Sequence, residues 1–205
     1  MRVWTSAGAV LATVLVAGCA TGCASGEPVV DPEVPQFTTS APPVASTLGR
    51  SVPKACEDVA TAEEVGTILG MLITGEPQPV VGVPQASIGR TARLDCYYGT
   101  RRGRPLAEST VWIALAGYTD ATRARQRLTD TISTERDAGS QVNEIPVGSG
   151  TGVLLRGRTW TLVSARGKTT VVVTIKPGLV REDRAGAMLG QIADHALTPR
   201  DPEPS

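Results

Sequence analysis

Apolar and polar positions divide the chain into three regimes. Ala7 to Ala17 is a continuous apolar run, Ala20 to Pro53 has no apolar periodicity and is broken by prolines, and Lys54 to Leu197 carries the patterns of regular structure. At the start of that last stretch, Val65, Ile68, Leu69 and Leu72 recur at helical spacing and form one stripe. Thr61-Ala62-Glu63-Glu64 before them fits a capping box, in which a hydroxyl and a carboxylate satisfy the first unpaired amides. Gly70 weakens the last turn, and Gly75 with Pro77 is expected to end it. Period-two segments follow. Leu94, Cys96 and Tyr98 share one face of an extended segment; Val111, Ile113 and Leu115 alternate with Trp112, Ala114 and Ala116 in the next. The basic stretch "RRGRP" joins the two as a turn.

Thr119 or Asp120 caps a second helix with an inner face of Ala121, Ala124, Leu128 and Ile132. Arg123, Arg125, Arg127 and Glu135 form its wet side. Pro146 and the glycines through Gly152 then lead into "GVLLRG", "RTWTLVSARG" and "KTTVVVTIKPG". These β-rich runs, separated by Arg-Gly turns, read as an antiparallel meander. A last helix spans about Glu182 to Ala196, with Ala185, Met188, Leu189, Ile192 and Ala196 inward. Strands joined by tight turns exclude a doubly wound parallel sheet, which needs helical crossovers. The expected class is therefore α+β, an antiparallel sheet with helices packed mainly on one face. The chain is expected to divide into a signal segment (1–18), a lipidated N-terminus with a proline-rich disordered linker (19–53), one α+β domain (54–197) and a disordered, fraying polar tail (198–205).

Composition changes this picture in two ways. The twenty basic and twenty acidic side chains balance, so nothing supplies the cationic surplus that a nucleic-acid-binding surface needs. Aromatic content is low and the single phenylalanine, Phe37, lies in the spacer, so the core is expected to be aliphatic, with Trp112 and Trp160 as its bulky members.

The beginning of the chain concerns location. Arg2 precedes the apolar run and small residues close it, the layout of a secretory signal. The run is too short to span a bilayer, which takes about 20 residues. With Leu15 before it, Val16-Ala17-Gly18-Cys19 resembles the lipobox of bacterial lipoproteins. That resemblance implies cleavage between Gly18 and Cys19 and a diacylglycerol on the Cys19 sulfur. Cys23 follows Ala20-Thr21-Gly22, without a branched apolar residue at the matching place, and is the weaker candidate. A metal site at Cys19 and Cys23 would need further ligands nearby, and no histidine follows until His195. Stable anchoring takes about two acyl chains, as a diacylglycerol supplies. Extended at about 3.1 Å per residue, the spacer reaches on the order of 100 Å. It would hold the folded part away from the membrane.

The two cysteines of the domain, Cys56 and Cys96, invite a disulfide on the oxidising side of a membrane, the alternatives being free buried thiols or a pairing that involves Cys23. Such a bond would be structural, since no Cys-X-X-Cys spacing suggests redox cycling. The lipobox, the spacer, "ACEDVATAEEVGTILG", "LDCYYG" and the closing amphipathic helix together resemble a large, functionally unassigned actinobacterial group of cell-envelope lipoproteins. They are similar also to the extracellular sensor domains of some mycobacterial receptor kinases, which carry comparable cysteine pairs. The resemblance covers the whole mature chain and brings no catalytic residues with it.

Catalytic candidates are sparse. His195, the single histidine, would have to be the base of any hydrolytic triad, but its neighbour Asp194 does not face it on a helix. "VGSGTG" lacks the first glycine of a nucleophile elbow and opens a strand rather than a helix, so it reads as a turn. Arg101, Arg102 and Arg104 could meet an anionic surface but read first as a solvated hairpin tip. Glu63 and Glu64 serve capping. The expectation is a non-enzymatic binding or sensor-like module on the outer face of the cytoplasmic membrane, without cofactor or metal. It would reach the membrane through its lipid anchor and bind an envelope protein, polymer or small ligand, but no nucleic acid. A carrier of a lipid or other apolar molecule is the alternative, and an envelope hydrolase comes after that. An apolar cavity of roughly 300 Å³ or more would favour the carrier; a polar cleft with His195, a carboxylate and a serine would favour the enzyme.

Overall fold

The computed structural model describes residues 50–101 and 103–200. The signal segment, Gly18, Cys19, Cys23, the spacer up to residue 49, Arg102 and residues 201–205 lie outside the described residues. In chain order the elements are α1 (Ala62–Leu69), β1 (Gln78–Gly82), β2 (Arg90–Tyr98), β3 (Val111–Tyr118), α2 (Ala121–Asp137), β4 (Gln141–Val147), β5 (Gly150–Arg156), β6 (Trp160–Arg166), β7 (Thr169–Ile175) and α3 (Glu182–Leu197). The strands form one antiparallel seven-stranded sheet in the order β1-β2-β3-β7-β6-β5-β4. Two meanders, β1–β3 and β4–β7, meet where β3 pairs with β7, and α2 carries the chain from the centre of the sheet to its far edge. This is the expected α+β class.

Local signals account for most boundaries. Thr61 caps α1 with a complete capping box: its hydroxyl accepts from the Glu64 amide, and Glu64 accepts from the Thr61 amide at 2.7 Å. The helix stops sooner than its apolar stripe suggests, because Gly70 takes a left-handed conformation (φ 65°) that closes the end. Leu72, expected on the stripe, is therefore 84 % exposed, and Ile73 turns into the core in its place. Asp120 rather than Thr119 is the residue whose side chain caps α2, accepting from the Arg123 amide at 2.8 Å. Gly148 and Ser149 form a two-residue hairpin loop between β4 and β5, and the positive φ of Gly148 (57°) suits that turn.

Both strands that the hydrophobic pattern did not announce, β1 and β4, are the edges of the sheet. Each carries a proline, Pro79 and Pro146, and neither shows clean alternation of burial. A proline removes a backbone donor from the ladder, which edges tolerate and which discourages pairing with another chain.

Register assigns the side chains to two faces. Leu94, Cys96, Tyr98, Val111, Ile113, Leu115, Val171, Val173, Ile175, Leu162 and Leu154 point one way and pack against α1 and α3 in one buried cluster. From α3 that cluster receives Ala185, Leu189, Ile192, Ala193, Ala196 and Leu197. The Cys56–Cys96 disulfide, with Cα atoms 5.6 Å apart, ties the segment before α1 to β2 beneath it. Arg50 and Val52, expected within the spacer, also engage this layer: Arg50 donates to the carbonyls of Ala196, Thr198 and Asp58, and Val52 packs on the core. The opposite face carries α2 alone. Its buried cluster is small, comprising Ala116, Tyr118 and Ala124.

Candidate functional site

Because α2 covers only part of the second face, a cleft of about 440 Å³ remains between the helix and the sheet. Its size falls in the range of small-molecule sites, roughly 300–1,000 Å³. Ala114, Val163 and Val172 contribute apolar floor from three neighbouring strands, and Arg127, Leu128, Thr131 and Glu135 line it from α2. Arg127, Thr131 and Glu135 lie four positions apart and Leu128 three before Thr131, so successive turns present them along one side of the helix. Leu106, Ala107, Ser109 and Thr110, from the connection between β2 and β3, form another wall. That connection is longer than the tight turn expected from "RRGRP" and includes a 3-10 turn at Leu106–Glu108.

Tyr97 and Trp112 sit at adjacent positions of β2 and β3 and stack with their rings 6.0 Å apart and 5° from parallel. The indole nitrogen of Trp112 donates to Asp95 Oδ1 at 3.0 Å. Arg93 donates to both oxygens of Asp95, at 2.7 and 2.8 Å. One buried carboxylate thus holds an aromatic platform and a guanidinium in place, so the platform is rigid before anything arrives. Burial raises the Tyr97 phenol pKa, reinforced by Asp95 and opposed by Arg93, so the ring stays neutral. Beside the platform, Thr161 and Thr174 share a hydroxyl contact at 3.1 Å, continued by Thr159 at 3.3 Å. The cleft combines an apolar floor, an aromatic wall and a short row of hydroxyls.

None of the residues singled out in the sequence for catalysis lines this cleft. His195 lies between α3 and α1, where Arg200 donates to its Nε2 at 2.9 Å and Glu64 Oε2 stands 3.5 Å away. Arg200 also ion-pairs with Glu64. Partial burial opposes the charge on Glu64, but hydrogen bonds from the Thr61 amide, Arg200 and the Thr61 hydroxyl outweigh it and bring its pKa down to about 2. Asp194 points elsewhere and binds Arg166 at 2.6 Å. The structure therefore places His195 beside Arg200 and Asp194 in an ion pair with Arg166, apart from each other, and Glu64 belongs to the cap of α1. Glu63 is exposed in the first turn of α1. Arg101 and Arg104 are exposed on the β2–β3 connection, where Arg104 pairs with Glu108 at 2.8 Å. Among the described residues no helix is long and apolar enough to cross a membrane, and no group of three or more acidic, His or Cys side chains is placed to hold a metal.

Trp112 was legible as a strand residue, but nothing in its period-two pattern distinguished a wall of a cleft from a core position. Arg127, Leu128 and Glu135 were read as wet or inner faces of α2, and only the angle of that helix on the sheet brings them together. A usable signal exists in hindsight: β3 carries small residues, Ala114 and Ala116, on the face where β7 has Thr170 and Thr174. Such a surface is too small and too polar to be filled by a covering helix.

No family model matches the chain, and no curated protein matches it in sequence. Among solved structures it is similar to the extracellular domain of PknH from Mycobacterium tuberculosis, at 13 % identity and a TM-score of 0.46, over 72 % of this chain and 97 % of that one. A likeness of that grade carries no functional argument.

Proposed function

We propose that the protein is an extracytoplasmic, non-enzymatic binding module, anchored to the membrane through Cys19, that takes a small, partly apolar ligand in the cleft between α2 and the sheet. The observation that carries this reading is the pre-formed aromatic platform of Tyr97 and Trp112, held by Asp95 at the wall of a 440 Å³ cleft. Trp112 remains partly exposed to the cleft and is fixed by the buried carboxylate of Asp95. The separation of His195 from this cleft supports a binding role over a hydrolytic one. The Cys56–Cys96 disulfide supports an oxidising compartment, and the lipobox-like stretch supports retention at the membrane surface.

The carrier is the second reading, favoured by the volume of the cleft. Its opening to solvent and its hydroxyl row fit selective binding better than enclosure of a wholly apolar cargo. Native mass spectrometry of the protein released from its own envelope tests both. A bound small molecule that is lost in Trp112→Ala is the expected result. Material bound equally well by that variant would overturn the cleft as the site. Membrane fractionation with Cys19→Ser tests the anchor: the variant is expected in the soluble fraction, and unchanged retention would remove that part of the proposal.

A further inference from the structure

We infer that the ligand of this cleft is a single-chain amphiphile with an anionic group, carboxylate or phosphate, its apolar part on the sheet and its charge between α2 and the end of β7. The inference rests on the cleft reading above and adds the chemistry of the occupant. Among the described residues, four ionisable side chains other than tyrosine line the cleft: Arg93, Arg127, Lys176 and Glu135. Arg93 is already neutralised by the bidentate pair with Asp95. Glu135 accepts a hydrogen bond from the Ser140 hydroxyl at 3.0 Å. Arg127 and Lys176 are exposed, and their side chains make no ion pair or hydrogen bond among the described residues. One lies on the helix wall; the other follows β7, the strand that supplies Val172 and Thr174 to the floor.

Arg127 and Lys176 share a cavity whose floor is apolar, and the hydroxyl row of Thr159 and Thr161 ends at Thr174 on β7, two residues before Lys176. Glu135 keeps its charge beside the Ser140 hydroxyl, but Arg127 and Lys176 outnumber it, so the net charge of the cleft favours an anion over a cation. Arg127 on the helix wall and Lys176 beyond β7 each offer an anion a charge-assisted donor, while its chain covers Ala114, Val163 and Val172. The volume sits at the small end of the range for ligand pockets, which suits one chain.

Calorimetric titration of the purified full chain with dodecanoate, dodecyl phosphate, dodecanol and dodecylammonium, each below its micellar concentration, tests this. Dodecanoate or dodecyl phosphate is expected to bind about tenfold more tightly than dodecanol, and dodecylammonium most weakly. The relative affinity of the two anions identifies which oxyacid is preferred. In the double variant Arg127→Gln, Lys176→Gln, both changes at exposed positions, the advantage of the anion over dodecanol should disappear. Val172→Trp, which fills the floor, should weaken all four. Equal binding of anion and alcohol, tighter binding of the ammonium, or an unaffected double variant would overturn the charge assignment and leave the cleft standing. Binding that survives Val172→Trp, or no binding by any probe, would overturn the cleft reading itself.

Discussion

The two faces of the sheet are built from the same strands and meet different fates. Toward α1 and α3, successive strands present Leu, Ile, Val, Cys and Tyr, and the helices answer with Val65, Leu69, Leu189 and Ile192, all buried at 5 % exposure or less. Close packing of large aliphatic side chains there removes apolar area from water and leaves the layer sealed. Toward α2, the same strands bury Leu155 and Val163 but otherwise present Ala114, Ala116, Thr161, Thr170, Thr174 and a partly exposed Val172. The helix laid across them is rich in arginine and threonine and buries only Ala124 fully. Small and hydroxylated side chains opposite a largely polar helix cannot fill the space between them. Stability resides on the first face, and the opportunity for binding on the second.

The contrast is breakable. The largest effect is expected for Cys56→Ser with Cys96→Ser, which opens a 40-residue loop on the sealed face and costs about 4 kcal/mol by the chain-entropy argument, read by urea unfolding. Leu189→Ala, in the same layer and wholly buried, should cost about 3 kcal/mol in the same assay. On the open face, Asp95→Ala should cost about 2 kcal/mol, because Trp112 and Arg93 lose their acceptor, and should also loosen the indole environment seen by near-UV circular dichroism. Val172→Ala, on the floor of the cleft, should cost no more than about 1 kcal/mol. Equal losses for Leu189→Ala and Val172→Ala would erase the distinction between the faces.

A smaller, pH-dependent effect concerns the rim of the sealed layer. Glu64 titrates near 2 in the folded chain, below the ordinary carboxylate value of about 4.3. Its hydrogen bonds therefore contribute stability that is complete above that ordinary value and is lost as pH falls through about 2. Thermal melts from pH 6 to pH 2 should show a steeper loss in the native chain than in Glu64→Gln. Parallel curves would remove the Thr61–Glu64–Arg200 cluster as the cause.

How much of this was legible depended on periodicity. The strands with strong alternation, β2, β3 and the runs β5 to β7, were readable, as were the capped start of α1 and the extent of α3, because each carries its own local signal. The edges β1 and β4 were not. An edge strand pairs on one side, is bathed on both faces near its ends, and can hold a proline, so no hydrophobic period marks it. The cleft was hidden for a related reason. Trp112 and Val172 are sixty residues apart in the chain, and a partly filled space leaves no local trace in either neighbourhood.

By itself, the order of residues determined the secondary elements with strong periods, the antiparallel class and the cysteine pair available for a disulfide, because spacing along a helix or strand is a property of a few neighbouring residues. Only the tertiary structure decided which face each helix covers, that Asp95 anchors the indole, and that Arg127 and Lys176 share one cavity. Those facts depend on the crossing of α2 over β3 and β7, a relation between segments far apart in the chain, and the side chains that fail to fill the gap are visible only once both walls are in place.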